Sequence, residues 1–378
     1  MQTLATMAAF SVPAAAPAIA RELHVSGGLV GFFVALVYGV GILSSLLSPS
    51  FVLRYGAVRV VQIVLVATIV MLAVASGGTL TLLAASAALL GLAYGATAPA
   101  SAHLLVPHTP ARIFNLVMSI RQIGVPLGGI FAGLIVPPLA LAFGWRHALL
   151  AEIPASILLI LALELIRRRW DADRVPEAPL FVGALAQPLR LWRQNAAIRR
   201  LTIASFVYTG VQLCFISFMT VHLTQSAKFD LVRAGWTLAA YQVAGAASRP
   251  VLGVIADRLM SPTKLLALTG ALMFLAAEAS GLFTPAWPAW TILVVCLAAG
   301  ASGSGFTGLA YAEFARLGGA RRTEATGLGS ASMFAGVLIV PPIFGLAATA
   351  TGAFTLSFSV LGVAALVAGA LIWRSDRR

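Results

Sequence analysis

Apolar stretches of about 20 residues recur from one end of the chain to the other, and they limit its fold more than any motif does. A helix of that length crosses the roughly 30 Å hydrocarbon core of a membrane. The 378 residues are 60% hydrophobic and 10% charged, whereas soluble domains carry about 25% charged residues. The chain is therefore predicted to be an all-α polytopic membrane protein.

Twelve membrane-spanning helices account for all of these stretches, whereas ten or eleven leave one stretch unplaced. The first helix is expected to begin almost at residue 1, because MQTLATMAAFSVPAAAPAIA lacks the basic region of a cleaved signal peptide. The predicted spans are 2–19, 28–48, 59–76, 80–102, 113–136, 146–166, 200–222, 233–254, 264–283, 289–311, 324–347 and 354–373.

Basic residues between the spans and at their ends predict the orientation. With the N-terminus in the cytoplasm, nineteen Lys and Arg residues lie on the cytoplasmic side and four on the opposite side. Positive charge is retained in the cytoplasm, so we expect both termini there. This topology explains the net charge of +13 without nucleic-acid binding. The Ala-, Gly- and Arg-rich composition favours a bacterium with a GC-rich genome and hence the inner membrane, and we expect a monomer.

A long polar connection and an internal repeat divide the chain. The predicted organisation is a six-helix half at 1–166, a cytoplasmic linker at 167–199 and a second six-helix half at 200–378. The linker is predicted to form short surface helices, with a disordered segment as the alternative. LIVPP occurs in both halves at an offset of about 204, and RQIGVPLGGIFAG aligns with EATGLGSASMFAG. Parallel six-helix repeats are a transporter architecture.

The cytoplasmic end of the eighth span carries Gly253-Val-Ile-Ala-Asp257-Arg258. With the repeat, this run resembles the loop signature of the major facilitator superfamily, which implies a gate motif at Gly253, Asp257 and Arg258. The first half reads SPSFVLRYGAVR instead, with Pro49 and Leu53 at the Gly and Asp positions. The resemblance covers essentially the whole chain and implies a secondary transporter.

The stretch SRPVLG at 248–253 resembles the ARPSxG stretch of the monocarboxylate transporters within that superfamily. The resemblance implies that Arg249 engages a substrate carboxylate. The aspartate that the family has one turn earlier is Gly245 here, and no lysine occurs before Lys228, where the family uses one in its first helix.

Two arginines fall inside predicted spans. Counted from Arg112 and Asp257, Arg121 and Arg249 each lie roughly 12 Å into the membrane at about 1.5 Å per residue. A membrane-embedded charge costs several kcal/mol, so each is a functional candidate. Both share a helical face with glycines, which predicts that they point into the bundle. The resemblance to the superfamily implies that the two helices are neighbours. They are predicted to bind an anionic substrate, with an ion pair to Glu278 or Glu324, or for Arg121 a gate latch, as the alternatives.

Acidic residues are missing from 23–151, so spans one to five contain no carboxylate. Glu152, Glu278 and Glu324 are the candidates for carrying a proton or forming an ion pair. The resemblance implies that Tyr94, Tyr208 and Gln212 line the cavity, because spans one, four, seven and ten do so in the superfamily. Tyr241 and Gln242 join them as substrate-binding candidates, with interface packing as the alternative. Cys214 and Cys296 are predicted to be apolar filler. No catalytic, metal or cofactor motif is found.

The resulting prediction is a secondary transporter of a small organic anion, such as a carboxylate, working by alternating access with proton coupling or exchange. The alternative is a proton-coupled efflux pump for drugs or metabolites. The acid-free first half counts against cationic cargo but not against neutral cargo. A membrane sensor without transport is a third hypothesis, and the two-fold repeat argues against it. The only partners expected are the substrate, protons and the lipid bilayer.

Overall fold

The computed structural model describes residues 1–25, 30–180 and 185–374, and every regular element in them is helical. The helices are α1 Gln2–Glu22, α2 Val30–Tyr55, α3 Ala57–Ser76, α4 Leu80–Tyr94, α5 Thr97–His108, α6 Phe114–Phe143, α7 Trp145–Leu150, α8 Ile153–Trp170, α9 Ala186–Gln194, α10 Ala196–Ser226, α11 Leu231–Arg258, α12 Pro262–Gly281, α13 Ala289–Gly318, α14 Arg322–Thr351 and α15 Thr355–Trp373. Single 3-10 turns at Ala111–Ile113 and Gly319–Arg321 precede α6 and α14.

The twelve predicted spans are confirmed as helical over the residues that the structure describes, although two of them are interrupted; residues 28 and 29 of the second span lie outside those residues. Ten stretches of the described residues are long and apolar enough to cross a membrane, and one of them, Ala289–Thr351, contains both α13 and α14. Helix α11, which carries the charged residues Arg249 and Asp257, is not among these ten stretches. Several helices run past their predicted ends, as α2 does by continuing to Tyr55. Arg377 and Arg378, which contribute to the predicted orientation, lie outside the described residues.

Two spans that are predicted as single helices are each divided in two. The span at 80–102 is divided between α4 and α5, and the span at 146–166 between α7 and α8. Pro154 is in the first turn of α8 and has no N–H to continue the helix from α7. The second break places Glu152 within the membrane-spanning stretch, immediately before α8.

The first of two compact units comprises Met1–His108, Ile123–Leu191 and Gly318–Ala331. Its core is a cluster of buried apolar side chains from α1 to α4, α6 and α7, and it includes Trp145. In hydrocarbon, backbone groups must be satisfied within the helices, so helix contacts rest on side-chain packing. This unit contains residues 186–191 of α9, a short helix in the part of the chain predicted to form surface helices.

The second compact unit comprises Thr109–Gln122, Trp192–Leu317 and Ser332–Arg378. Its interior is rich in aromatic rings: Phe215 stacks on Tyr241 at 5.9 Å between centroids, and Tyr208 meets Phe306 edge-on at 5.3 Å. Cys214 and Cys296 are free thiols, and both are fully buried. The division of the chain at 1–166, 167–199 and 200–378 stays a prediction.

Within the first unit, Asp171 anchors the beginning of the linker to α3. Its carboxylate accepts hydrogen bonds from the backbone N–H groups of Val58 at 2.7 Å and Arg59 at 2.9 Å. Gly56 has φ +89°, and a Cβ there would lie 2.2 Å from Asp171 Cγ, so only glycine fits. Asp171 therefore caps α3 at the loop where the first half lacks the acidic residue of the superfamily signature.

Candidate functional site

One face of α11 carries Gly245, Arg249, Gly253 and Asp257, spaced four residues apart, and we call this row the α11 seam. Three of the four are buried and Asp257 is half-buried. The seam packs on α13 and on the first turns of α6, all within the second unit.

Arg249 lies at the centre of the seam and is 2% exposed. Its Nε donates to the backbone oxygen of Ser304 at 3.1 Å, and its Nη2 donates to the Ser304 hydroxyl at 3.1 Å. Its Nη1 donates to the backbone oxygen of Gln122. The guanidinium therefore ties α6, α11 and α13 together through a planar fork of donors.

The end of the seam holds the start of α6. The Asp257 carboxylate accepts hydrogen bonds from the backbone N–H groups of Asn115 at 3.0 Å and Leu116 at 2.9 Å. The side-chain amide of Asn115 donates to the same carboxylate at 2.8 Å. Because the N-terminus of a helix carries unpaired N–H groups and partial positive charge, an acidic residue there is stabilising. Arg258, the next residue of the predicted gate motif, is exposed.

The seam glycines allow backbones to approach closely. A Cβ added to Gly253 would lie 2.7 Å from Leu116 Cα, and one added to Gly245 would lie 2.5 Å from Ser304 Cβ. Small residues serve this purpose in membrane helix contacts. The prediction that glycines direct Arg249 into the bundle is confirmed.

Arg121 and Arg249 lie on contacting helices, as predicted, since Arg249 bonds to the residue that follows Arg121. Arg121 is half-buried, and its guanidinium lies 5.0 Å from the centre of the Tyr311 ring on α13. A cation over an aromatic face is stabilised, more so when desolvated. The hydrogen-bond partners that the structure gives for Arg249 are Ser304 and Gln122, and an ion pair with Glu278 or Glu324 stays a prediction.

Polar residues of α10 reach the same region of the second unit. The amide nitrogen of Gln212 donates to the Ser304 hydroxyl at 3.0 Å, so Gln212 and Arg249 both bond to this hydroxyl. Tyr241 is fully buried, and its hydroxyl lies 3.4 Å from the backbone oxygen of Gln212. Gln242, the next residue on α11, is exposed.

Tyr208 points away from this group. Its hydroxyl donates to the backbone oxygen of Leu266 on α12 at 3.0 Å, and its side chain is 1% exposed. A Cβ at Gly270 would lie 2.1 Å from that hydroxyl, so the ring fills a close contact between helices. The geometry matches interface packing, the predicted alternative for this residue, more closely than cavity lining.

In the first unit, Tyr94 belongs to a chain of uncharged polar groups. Its hydroxyl lies 3.2 Å from Thr6 Oγ1, and Gln2 Nε2 donates to Thr6 Oγ1 at 3.4 Å. The ring of Tyr38 meets Tyr94 edge-on at 6.4 Å. Tyr94 was predicted from the sequence, whereas Thr6 and Gln2 were not, because small polar residues are common in membrane helices.

Glu152 is 4% exposed in the first unit, and its Oε2 lies 3.2 Å from the hydroxyl of Ser11 on α1. No cation of the described residues forms an ion pair with it. Glu278, in the second unit, is half-buried and accepts a hydrogen bond from Ser359 at 2.8 Å. Glu324 is half-buried in the first turn of α14. No group of three metal-ligating side chains occurs among the residues searched, 1–25, 30–180 and 185–374.

Comparisons with known proteins cover the whole chain. The family model described as Major Facilitator Superfamily matches residues 1–316 and 201–378. The purine ribonucleoside efflux pump NepI of Salmonella typhimurium is 26% identical over 272 residues, which are 69% of this chain and 63% of the pump. The aligned region thus spans less than two thirds of that relative.

Two solved structures share the fold. A bacterial homologue of the iron transporter ferroportin superposes with a TM-score of 0.76 at 15% identity, over 100% of this chain and 99% of that one. The human organic anion transporter MFSD10 superposes with a TM-score of 0.74 at 15% identity, over 98% and 97% of the two chains. At these identities the likeness concerns the fold alone.

Proposed function

The chain belongs to the major facilitator superfamily and is a multi-pass membrane transporter, and on that premise we propose that it exports a small uncharged metabolite of the purine ribonucleoside class in exchange for protons. The two halves, 1–166 and 200–378, expose the substrate alternately to either side of the inner membrane. Both termini lie in the cytoplasm. The similarity to a purine ribonucleoside efflux pump supports the direction and the cargo.

The observation that carries the proposal is that the Ser11 hydroxyl, which has one hydrogen, lies within hydrogen-bond distance of two oxygen atoms. Its hydroxyl oxygen lies 2.8 Å from the backbone oxygen of Met7 and 3.2 Å from Glu152 Oε2. A hydroxyl has one hydrogen to donate, whereas an ionised carboxylate only accepts. Both contacts are satisfied when Glu152 carries a proton and donates it to Ser11, while Ser11 donates to Met7. Glu152 is therefore assigned as the proton carrier.

Glu278 does not require a proton in the same way. Ser359 donates its single hydrogen to Glu278, and that bond is satisfied with the carboxylate ionised. Glu152 is also the more buried of the two, and an ionised carboxylate without a cation is costly in hydrocarbon. These differences favour Glu152 over Glu278 for coupling.

Uncharged polar groups support a neutral substrate. Tyr94, Thr6 and Gln2 offer hydroxyl and amide groups in the first unit, and Gln212 with Ser304 does so in the second. Such groups match the ribose hydroxyls and base edges of a nucleoside, each bond to substrate contributing about 0.5–1.5 kcal/mol. Arg249 already donates through all three nitrogens to protein oxygens, which counts against its engaging a carboxylate.

The test uses purified protein in liposomes with an acidic interior. Wild type is expected to accumulate radiolabelled adenosine above its external concentration, because protons leave as adenosine enters. Glu152→Gln is expected to lose this accumulation and to retain exchange of labelled for unlabelled adenosine. Glu278→Gln is the matched control, since it also removes a carboxyl that contacts a serine, and it is expected to behave as wild type.

Transport of an organic anion is the second candidate, and Arg121 favours it. This cation is half-buried beside Tyr311 and next to the Arg249 contact. Accumulation of radiolabelled lactate in liposomes with an acidic exterior, with no accumulation of adenosine in liposomes with an acidic interior, supports this candidate and contradicts the first. Loss of coupling in Glu278→Gln with normal coupling in Glu152→Gln contradicts the assignment of the proton carrier.

A further inference from the structure

Residues 171–180 of the linker lie along the ends of α2 and α3 in the first unit, and we call them the linker strap. The backbone N–H of Val175 donates to the backbone oxygen of Leu53 at 2.8 Å. Arg54 Nη1 donates to the backbone oxygen of Ala178 at 3.2 Å. These bonds use backbone groups and a guanidinium, none of which changes charge near neutral pH. They therefore hold the strap on α2 in acidic and in alkaline medium.

One residue of the strap reaches α5. Asp173 Oδ2 lies 2.8 Å from His103 Nε2, and the two side chains are 55% and 13% exposed. The other ring nitrogen, Nδ1, lies 3.4 Å from the hydroxyl of Thr323 in the first turn of α14. All three residues belong to the first unit, although Thr323 is part of the predicted half 200–378. His103 thus connects the strap to the start of α14.

The contact with Asp173 determines which ring nitrogen of His103 carries a hydrogen. A carboxylate only accepts, so Nε2 carries a hydrogen whether the ring is neutral or protonated. Nδ1 accepts from Thr323 in the neutral ring and donates to it in the protonated ring. Both charge states therefore keep the same contacts. Protonation changes their strength, because the contact with Asp173 becomes an ion pair with a charge-assisted hydrogen bond.

The strap, the start of α14 and α5 itself carry further charged or titratable residues: Asp171, Arg174, Glu177, Arg321, Arg322, Glu324 and His108. Among these, the Asp171 carboxylate binds the N–H groups at the start of α3. His108 Nδ1 lies 2.8 Å from a backbone oxygen of its own helix. Asp173 supplies the carboxylate that lies within hydrogen-bond distance of the His103 ring.

The link through His103 lies where the first half lacks the acidic residue of its loop. In the second half, Asp257 at the end of α11 binds the start of α6. The corresponding residue at the end of α2 is Leu53. The start of α14 is joined instead to His103 and, through it, to Asp173. Histidine is the residue type that can change charge between about pH 5 and pH 8.

We propose that His103 and Asp173 form a pH-controlled latch, which holds the start of α14 to the linker strap in acid and releases it as the pH rises. The latch lies on the side predicted to be cytoplasmic. In alternating access, the two halves separate on that side when it opens. Acidification of the cytoplasm therefore slows this opening. The inference goes beyond the proposed function, since it holds for any cargo.

Double electron–electron resonance on the full chain in detergent, without substrate, tests the latch. Spin labels are attached at Glu177→Cys on the strap and Arg321→Cys before α14, since both residues are exposed. The ratio of the short to the long label distance is expected to be about two- to fivefold higher at about pH 5.5 than at about pH 8.5, as for one partly exposed ion pair. A ratio that does not change with pH overturns the proposal.

Variants in the same labelled background assign the response. Asp173→Asn keeps an oxygen for the ring and removes the charge, so it is expected to abolish the change with pH. His103→Gln is expected to do the same. His108→Gln is the matched control, because it removes a second histidine of α5 that bonds within its own helix, and it is expected to respond as the unmodified chain does. A response that survives in Asp173→Asn and His103→Gln, or that is lost in His108→Gln, contradicts the latch.

Discussion

Asp257 and Asn115 join the end of α11 to the start of α6. The carboxylate accepts from the backbone N–H of Asn115 at 3.0 Å and from its side-chain amide at 2.8 Å. The sequence motif that contains Asp257 thus has a structural partner 142 residues away along the chain.

Asp257→Asn is expected to lower the free energy of unfolding by about 1–2 kcal/mol. The amide keeps one acceptor oxygen but removes the negative charge at the N-terminus of α6. Thermal unfolding followed by tryptophan fluorescence measures the loss. Arg258→Gln is the control, since Arg258 is adjacent and exposed, and it is expected to change stability by less than about 0.5 kcal/mol. Equal effects of the two substitutions would show that the cap contributes little.

Gly253→Ala is expected to destabilise the protein by about 1–3 kcal/mol, because the new Cβ meets the backbone of Leu116. Gly235→Ala lies on the same helix with nothing within 4 Å of its Cβ. It is expected to be neutral or to stabilise the protein by up to about 1 kcal/mol through helix propensity. The midpoints of thermal unfolding of the two variants provide the comparison, and a Gly253→Ala variant as stable as wild type contradicts the close packing.

Arg249→Lys is expected to destabilise the protein by about 1–3 kcal/mol, because an ammonium lacks the fork that reaches Ser304 and Gln122 together. Under the proposed function, the rise in unfolding temperature caused by saturating adenosine is expected to be unchanged. Measurement of that rise in both proteins separates a structural arginine from a substrate-binding one. A variant of normal stability that no longer responds to ligand assigns Arg249 to the substrate site.

Tyr208 and Gln212 lie one turn apart on α10 and are expected to respond differently. Tyr208→Phe removes the bond to Leu266 and is expected to lower stability by about 0.5–1.5 kcal/mol with KM for adenosine unchanged. Gln212→Ala is expected to raise that KM by up to about tenfold with a smaller effect on stability. Initial transport rates and thermal unfolding of both variants provide the test; a raised KM in Tyr208→Phe alone reverses the two roles.

Most of the fold could be predicted because its information is local. A run of 20 apolar residues specifies a spanning helix by itself, and the alternation of basic residues counts the crossings. Even the position of Arg249 relative to Gly245 and Gly253 follows from helical spacing. The breaks between α4 and α5 and between α7 and α8 were missed, because Gly95 and the short run from Glu152 to Pro154 are too brief to interrupt the apolar stretches that contain them.

The partners of the candidate residues could not be predicted in the same way. Ser11 lies 141 residues from Glu152, and Ser304 lies 55 residues from Arg249. Such pairs depend on how helices rotate and cross, which hydropathy does not encode. For Arg249 we expected a charged partner from the sequence. The partners that the structure gives it are the backbone oxygens of Ser304 and Gln122 and the Ser304 hydroxyl. A sequence does not single out such groups, because every residue has a backbone oxygen and every serine a hydroxyl.

The two native thiols, Cys214 and Cys296, lie in the interior of the second unit with no exposed surface. A water-soluble maleimide therefore has no native target in the folded protein, and a cysteine introduced at an exposed site becomes the preferred point of attachment. Glu177→Cys between α8 and α9 and Thr284→Cys between α12 and α13 are such sites, since both residues are exposed and lie outside the membrane-spanning stretches. Fluorophores or spin labels can therefore be attached without first replacing the two native cysteines. Spectroscopy can then follow the motions of the otherwise natural chain during transport.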